Sequence, residues 1–270
     1  MSFIEKLLIA AQTNNSLLCI GLDPDPELMP PGLGVLDFNR AIVEATSDIV
    51  CAYKPNLAFY EAMGVDGVRA LEATRACIPE SIPVIGDAKR GDVGATSRAY
   101  AKALFDGYGF DAITVSPYLG GDSLKPFVDY QDRGVFVLCR TSNPGSADLQ
   151  RLSISGTPLF EMVAERSRGW NDYGNIGLVV GATYPDDLAR VRRICPDMPI
   201  LIPGVGAQGG DLEAAVRYGV DVNREKAIIN SSRSIIYASS GADFAEAARR
   251  AAIELRDEIT RLLGGGNCLK

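Results

Sequence analysis

The stretch IPVIGDAK, residues 82–89, is a short apolar run that ends in an aspartate and a lysine. Longer amphipathic stretches, typical of helices, lie on both sides of it. Runs buried on both faces of a sheet are nearly continuous in apolar residues, and this run has that character. Seven further runs share the pattern: LLCIGLD (17–23), CAYKPN (51–56), AITVSP (112–117), VFVLCR (135–140), IGLVVGA (176–182), PILIPGV (199–205) and KAIINSS (226–232).

Eight predicted strands, each followed by a helix, indicate an α/β fold of the TIM (β/α)₈ barrel type. We expect a single domain over residues 1–263, with an N-terminal helix, and a flexible tail over 264–270. A doubly wound open sheet is the main alternative, but it usually has fewer strands, and the first strand-to-helix turn lacks GxGxxG. The longest loop, SNPGSADLQRLSISGTP (142–158), is a candidate lid.

The composition excludes several kinds of active site. The 270 residues include no histidine, which rules out a Ser-His-Asp triad, a Cys-His pair and a histidine-ligated metal. The net charge of −7 disfavours nucleic acid and anionic membranes as partners. No apolar run approaches the ~20 residues that a membrane span needs. The six cysteines form no CxxC pair, so we expect reduced thiols and a cytoplasmic protein.

Charged and polar residues follow the predicted strands at their C-terminal ends, where parallel barrels carry their chemistry. Asp87 and Lys89 are two residues apart, so the period of a strand directs both side chains to one face. With Asp23 and Lys54 they would form an alternating set of carboxylates and ammonium groups, and Asp92 follows in the next loop. The alternatives are a purely structural ion-pair network and side chains that face solvent. Asp25 and Glu27 are interpreted as charges of a loop.

A glycine-rich segment, GVGAQGG (204–210), follows the seventh run and precedes a helical pattern. Glycines allow backbone N–H groups to approach an anion, and barrels commonly bind phosphate with the loops after strands seven and eight. Arg233 follows the eighth run and can bind phosphate oxygens with two donors. The pair predicts a phosphate site, although a glycine-rich loop alone is more often an ordinary turn.

At these residues the chain resembles the orotidine 5′-phosphate decarboxylase family. DAKRGDVGATSRAYAKA (87–103) is similar to the D-x-K-x-x-D element of the family, in the branch with a DxKRGD signature. The matches follow the family's order over most of the chain. The others are GLDPDP (21–26), YKPNLAFYE (53–61), TSNPGSADLQ (141–150), PGVGAQGGD (203–211) and NSSRSIIYAS (230–239).

The resemblance implies a cofactor-free carboxy-lyase of pyrimidine biosynthesis that converts orotidine 5′-phosphate (OMP) to uridine 5′-phosphate (UMP). It implies that Lys89 protonates C6 as CO₂ leaves and that Asp87 lies beside the substrate carboxylate. Lys54 would hold Asp87 and, with Asp23, bind the ribose. Asp92 and Thr96 would reach the site from the partner subunit of a homodimer.

The resemblance also implies the remaining substrate contacts. Ser142 would bind the amide edge of the pyrimidine, and Gln208 and Arg233 would hold the phosphate. Pro203, Gly209 and Ser232 complete the predicted substrate-binding set.

Three alternatives remain open at this point. A Mg²⁺-dependent sugar-phosphate decarboxylase or synthase on the same barrel would act through a metal-stabilised enediolate, whereas we expect no metal and no cofactor. A non-catalytic phosphate-binding protein would be expected to lack part of the lysine–aspartate set, which is complete. A structural or partner-binding protein would be expected to show an extended apolar stripe, and no helix pattern has one.

Overall fold

The computed structural model describes residues 1–205 and 210–264. Each of the eight apolar runs contains a strand of one parallel sheet, and two short strands lie outside that sheet. The strands are β1 (Leu18–Leu22), β2 (Ala52–Pro55), β3 (Ile85–Arg90), β4 (Ala112–Val115), β5 (Gly134–Arg140), β6 (Ser153–Ile154), β7 (Thr157–Pro158), β8 (Ile176–Val180), β9 (Ile200–Pro203) and β10 (Ala227–Ser231).

The parallel strands follow one another around a barrel in the order β2-β1-β10-β9-β8-β5-β4-β3. The ring closes between β2 and β3 through two parallel bridges, which pair Tyr53 with Val84 and Asn56 with Asp87. The backbone N–H of Tyr53 also donates to the carbonyl of Pro83 at 3.0 Å. The predicted (β/α)₈ barrel is therefore confirmed.

Helices surround the barrel and cover its outer face. They are α1 (Phe3–Thr13), α2 (Val35–Thr46), α3 (Leu57–Glu61), α4 (Gly64–Cys77), α5 (Gly94–Lys102), α6 (Gly121–Val128), α7 (Ala147–Gln150), α8 (Leu159–Gly169), α9 (Pro185–Ile194), α10 (Leu212–Gly219), α11 (Arg233–Ile236) and α12 (Phe244–Gly264). The single domain over 1–263 stays a prediction. Of the predicted tail, Gly264 ends α12 and residues 265–270 lie outside the described residues.

The predicted N-terminal helix, α1, contributes side chains to the packed interior of the barrel. Phe3 stacks edge-on against Phe136 of β5 with ring centroids 5.6 Å apart. Gly134 makes room for this ring, since a Cβ there would lie 2.5 Å from Phe3 Cδ1. Lys6 is buried and forms a 2.7 Å ion pair with Asp111. These contacts fill one end of the barrel and leave the ends of the strands at the other end for a cavity.

The segment predicted as one long loop has structure of its own. A 3₁₀ turn (Pro144–Ser146) and α7 follow β5, and β6 pairs with β7 in an antiparallel hairpin. The hairpin is short and carries no apolar alternation, which is why the sequence pattern did not reveal it. The insertion lies between β5 and α8, next to the C-terminal ends of the strands.

Within residues 1–205 and 210–264, none of the helices has the length and apolar character that crossing a membrane requires. Cys19, Cys51, Cys139 and Cys195 are buried free thiols, and Cys77 is partly buried. Cys268 lies outside the described residues.

Candidate active site

A cavity of about 720 Å³ opens at the C-terminal ends of the parallel strands. Its floor includes Val179 and Leu201, which belong to the apolar cluster inside the barrel. Its walls bring together predicted residues from six different strands or the loops that follow them. The predicted site residues that line it are Asp23, Lys54, Asp87, Lys89, Ser142, Pro203, Ser232 and Arg233.

Asp87 lies at the centre of a hydrogen-bonded charge cluster. Its Oδ2 accepts from Lys54 Nζ at 3.0 Å, and its Oδ1 accepts from Lys89 Nζ at 2.6 Å. The Lys54 and Asp87 side chains are buried, with 5% and 12% exposed, whereas that of Lys89 is 48% exposed. The structure therefore brings these three predicted residues into direct contact and leaves one of the two ammonium groups open to the cavity.

Electrostatics keep the buried pair charged. Burial alone would raise the pKa of Asp87, but Lys54 and Lys89 outweigh it and hold the pKa well below its usual range. Burial alone would lower the pKa of Lys54, but Asp87 and Asp23 outweigh it and raise the pKa above its usual value. Burial raises the pKa of the Cys19 thiol to about 12. Cys19 therefore stays a neutral thiol beneath the cluster and is a poor candidate for acid–base chemistry.

The backbone of β3 departs from a regular strand at Lys89. Gly86 pairs with Ile113 and Arg90 pairs with Val115, so the register shifts between these positions. Lys89 has a φ of 48°, in the left-handed region that non-glycine residues seldom adopt. Period-two geometry predicted that Asp87 and Lys89 share a face, and their side chains do meet, although an irregular backbone brings them together.

The loop after β1 carries Asp23 into the cavity wall. Tyr237 holds this loop, since its hydroxyl donates to the carbonyl of Asp23 at 2.9 Å and accepts from the N–H of Asp25 at 2.6 Å. Within the described residues, Asp23 Oδ1 is buried and lacks a hydrogen-bond partner. Asp25, interpreted from the sequence as a charge of the loop, lies in that loop and also lines the cavity. Glu27 is exposed, as that interpretation expected.

Arg233 and Ser232 lie at the part of the cavity that follows β10. Arg233 is exposed and forms no ion pair with any described residue. Ser232 packs against β1 so closely that a Cβ on Gly21 would lie 1.8 Å from its Oγ. An unpaired guanidinium at the cavity mouth can receive an anionic group.

The glycine-rich segment begins at the cavity. Gly204, with a φ of 95°, lines the cavity, and the N–H of Gly210 donates to its carbonyl at 3.1 Å. The predicted phosphate ligands Gln208 and Gly209 lie outside the described residues.

Ser142 is held between the barrel and the insertion. Its backbone packs on Gly181, where a Cβ would lie 2.8 Å away, and its carbonyl accepts from Thr183 Oγ1 at 3.2 Å. Just before it, the buried Arg140 donates to Asp187 at 2.8 Å and stacks on the Tyr184 ring at 3.7 Å. These contacts fix the start of the insertion at the cavity wall.

Asp92 and Thr96 do not line the cavity formed by their own chain. Asp92 is half-buried and its Oδ1 accepts from the N–H of Val93 at 2.7 Å. Thr96 is exposed on α5. Asp92 lies in the loop after β3 and Thr96 lies on α5, and neither is among the residues that line the cavity beside the Asp87 cluster.

Several polar residues of the cavity wall were not predicted from the sequence, among them Asn56, Thr114, Asn230 and Tyr237. Thr114 and Asn230 interrupt otherwise apolar strands, and that signal could have identified them. Asn56 pairs with Asp87 across the closing bridge and accepts from the N–H of Ala58 at 3.2 Å as a helix cap. Tyr237, which follows the short helix α11, gave no signal, because an aromatic residue beside a short helix usually belongs to the core.

The fold and the position of the cavity define an enzyme of the (β/α)₈ barrel class, with its charged residues at the C-terminal face. The chain belongs to the orotidine 5′-phosphate decarboxylase / HUMPS family, whose model matches residues 16–251. The motifs recognised in the sequence lie inside this range.

Relatives and solved structures agree with the family. The chain is 57% identical to orotidine 5′-phosphate decarboxylase of Thermomicrobium roseum, over 97% of this chain and 96% of that protein. It is 55% identical to the Dehalococcoides mccartyi enzyme of the same name, over 96% and 97% of the two chains. The structure of Leishmania donovani OMP decarboxylase matches with a TM-score of 0.87 and 42% identity, over 98% of this chain and all of that one. Leishmania donovani UMP synthase matches with a TM-score of 0.91 and 44% identity, but this chain spans only 58% of it.

Proposed function

We propose that this protein is a carboxy-lyase that decarboxylates OMP to UMP and CO₂, the last step in the formation of UMP. The observation that carries the proposal is the Lys54–Asp87–Lys89 cluster in the cavity, in a chain whose relatives named above are orotidine 5′-phosphate decarboxylases. Their name supports OMP rather than a sugar phosphate as the substrate.

The reaction makes a specific electrostatic demand. When the bond between C6 and the carboxylate breaks, its electron pair stays on C6 and CO₂ leaves. The pyrimidine ring delocalises this charge poorly, so the site must stabilise it and then supply a proton. Lys89 Nζ is the cluster's accessible ammonium, and we assign to it the transfer of that proton to C6. Neither a metal nor an organic cofactor has a role in this sequence of steps.

Asp87 and Lys54 act on Lys89 and on the substrate. Asp87 holds Lys89 Nζ at 2.6 Å and would lie beside the carboxylate that leaves as CO₂. Repulsion between the two carboxylates would be relieved as CO₂ departs. Lys54 keeps Asp87 ionised, since its Nζ donates to Asp87 Oδ2 at 3.0 Å. We assign the ribose hydroxyls to Asp23, whose buried Oδ1 lacks a partner among the described residues.

We assign the pyrimidine amide edge to Ser142 and the phosphate to Arg233, with Ser232, Pro203 and the loop that contains Gln208 and Gly209. The guanidinium of Arg233 lines the cavity and has no ion-pair partner in 1–205 or 210–264, which supports this assignment. Phosphate binding far from C6 would supply energy for ordering the insertion after β5 over the substrate.

A homodimer with shared sites completes the proposal. Asp92 and Thr96 lie away from the cavity of their own chain, as expected of residues that serve a partner's site. Beside them Val93 is 58% exposed, and Tyr118 and Leu119, in the loop after β4, are 82% and 47% exposed. The two loops are in contact, since a Cβ on Gly91 would lie 2.8 Å from the Ser116 carbonyl oxygen. A second copy would bury this apolar surface.

The buried free thiols support a reducing, cytoplasmic setting.

The test is an ultraviolet assay of OMP loss by the purified protein, with and without EDTA. We expect full activity in EDTA and stoichiometric formation of UMP. Absence of OMP turnover would refute the proposal. Activity that EDTA abolishes and Mg²⁺ restores would instead support the metal-dependent alternative on the same barrel.

A further inference from the structure

Thr114 of β4 places its hydroxyl between two groups of β3. Thr114 Oγ1 accepts from the backbone N–H of Lys89 at 2.9 Å and donates to Asp87 Oδ1 at 2.9 Å. The residue is 1% exposed and lines the cavity. A hydroxyl has one proton to donate, and an ionised carboxylate can only accept. The directions of both hydrogen bonds are therefore fixed.

The hydroxyl stands where the ladder between β3 and β4 is interrupted. Residues 87–89 lie between the pairs Gly86–Ile113 and Arg90–Val115, so they face Thr114 alone. In a regular ladder a backbone carbonyl of β4 would accept from the neighbouring strand, whereas the Lys89 N–H is satisfied by a side chain. The left-handed φ of 48° at Lys89 persists only if its surroundings hold it. Irregularities of this kind re-aim side chains next to active sites.

We propose that Thr114 is a positioning residue for decarboxylation: its hydroxyl locks the turned backbone of Lys89 and the Asp87 carboxylate in one geometry, so that Lys89 Nζ is aimed at the reacting carbon. This inference rests on the proposed function, in which Lys89 delivers the proton. Nothing in the packing of β4 requires the hydroxyl, since valine has the same shape and continues the apolar strand. Valine would, however, leave the Lys89 N–H without its acceptor and Asp87 Oδ1 with one donor fewer.

The experiment compares Thr114→Val with Thr114→Ser, which keeps the hydroxyl. We expect Thr114→Val to lower kcat by about 10- to 100-fold, the cost of a small misplacement of a reacting group. KM for OMP and the Kd for UMP should change by less than about 3-fold, because the ligand contacts are intact. Thr114→Ser should keep kcat within about 3-fold of the wild type.

Thr46→Val is the matched control. Thr46 is fully buried on α2, where its Oγ1 donates to the Ile42 carbonyl at 2.7 Å, and it does not line the cavity. The control should keep the wild-type kcat and KM, which would show that loss of a buried threonine hydroxyl does not by itself impair turnover.

A folded Thr114→Val protein with the wild-type kcat would overturn the inference, as would a Thr114→Ser protein as slow as the valine variant. If Thr114→Val does not fold, Thr114→Ala replaces it, and the same comparison with serine applies. If neither folds while Thr46→Val does, Thr114 is a structural residue and the inference is wrong. A wild-type protein that does not turn over OMP would instead refute the proposed function.

Discussion

At Asp87, hydrogen bonds from Lys54, Lys89 and Thr114 meet on one buried carboxylate. Such a group is costly to bury alone, and removing one member of a buried ion pair leaves the others uncompensated. The same contacts that orient Lys89 therefore also contribute to the stability of the barrel. This coupling can be measured without any substrate.

Asp87→Asn should lower the free energy of unfolding by about 3 kcal/mol at pH 7, since it leaves the buried Lys54 without its main partner. The folded-state pKa of Asp87 is lowered, so its contribution is fully present above the unfolded-state pKa of about 3.9 and is lost as pH falls towards the folded-state value. The difference between the wild type and Asp87→Asn should therefore stay constant from pH 7 down to about pH 5 and shrink below about pH 4. Urea unfolding at several pH values measures it.

Asp48→Asn is the surface control for this prediction. Asp48 pairs with Arg249 at 2.6 Å, but its side chain is 62% exposed. Exposed pairs contribute at most about 1 kcal/mol. An Asp87→Asn variant that loses no more stability than Asp48→Asn would show that the buried cluster does not stabilise the fold.

Arg233→Ala should chiefly weaken the binding of phosphorylated ligands, because its guanidinium lines the cavity and forms no ion pair with the residues that the structure describes. Loss of a charge-assisted contact should raise the Kd for UMP by about 10- to 100-fold, with little effect on uridine. Calorimetric titration of both ligands checks this. An equal loss for uridine would contradict the assignment of Arg233 to the phosphate.

The charged residues were predictable at the residue scale, but the role of the hydroxyl that organises them was not. Asp23, Lys54, Asp87 and Lys89 were identified because charges at strand ends are conspicuous. Thr114 is a polar residue inside an apolar run, which marks its position but not its role, because threonine is also an ordinary strand residue. Its importance depends on the register shift opposite it, and no pattern within one strand reveals where two strands lose register.

At the scale of elements, α1 and the insertion after β5 act on opposite ends of the barrel. Phe3 of α1 packs against Phe136, and its ring fills the space that the missing side chain of Gly134 leaves. Phe3 is 2% exposed. The insertion contacts the cavity through Ser142. Changes in α1 should therefore affect stability, and changes in the insertion should affect turnover.

Phe3→Ala should cost about 3–5 kcal/mol of stability, because it removes a large side chain from a close-packed interior. Its kcat and KM should stay at the wild-type values at temperatures where the variant is folded. Ile9→Ala on the same helix is the control, since Ile9 is 52% exposed and its loss should have little effect. Thermal unfolding and the OMP assay together test this. A large fall in kcat for folded Phe3→Ala would contradict the separation of the two ends.

The order of the elements was predictable because each barrel strand is an apolar run followed by a helical pattern. The hairpin of β6 and β7 was not, since its four residues are half-buried or exposed and pair only with each other. Strands of two residues leave no periodicity to detect. The same shortness hid α7 within the predicted lid.

At the scale of the whole molecule, the proposed dimer with shared sites predicts that two inactive variants regain activity when they are mixed. Lys89→Ala and Asp92→Ala homodimers should each be inactive. If Asp92 serves the partner's site, a mixed dimer contains one intact site and one doubly altered site. Random re-association of equal amounts should then recover about a quarter of the wild-type activity, by the two-fold symmetry of the dimer.

The control for this mixing experiment is a second preparation in which each variant is re-associated only with itself. No recovery from confirmed mixed dimers would place Asp92 in the site of its own chain.

The barrel itself could be predicted from one sequence, whereas the dimer was inferred from resemblance, because surface residues such as Val93 and Tyr118 follow no period.

The most direct measurement is the rate of OMP decarboxylation by Lys89→Ala under single-turnover conditions, together with its Kd for UMP. We expect the rate to fall by at least about 10³-fold, the scale of losing a positioned proton donor that also stabilises charge, while UMP still binds. A Lys89→Ala protein that binds UMP and turns over OMP within about tenfold of the wild type would show that Lys89 is not the proton donor.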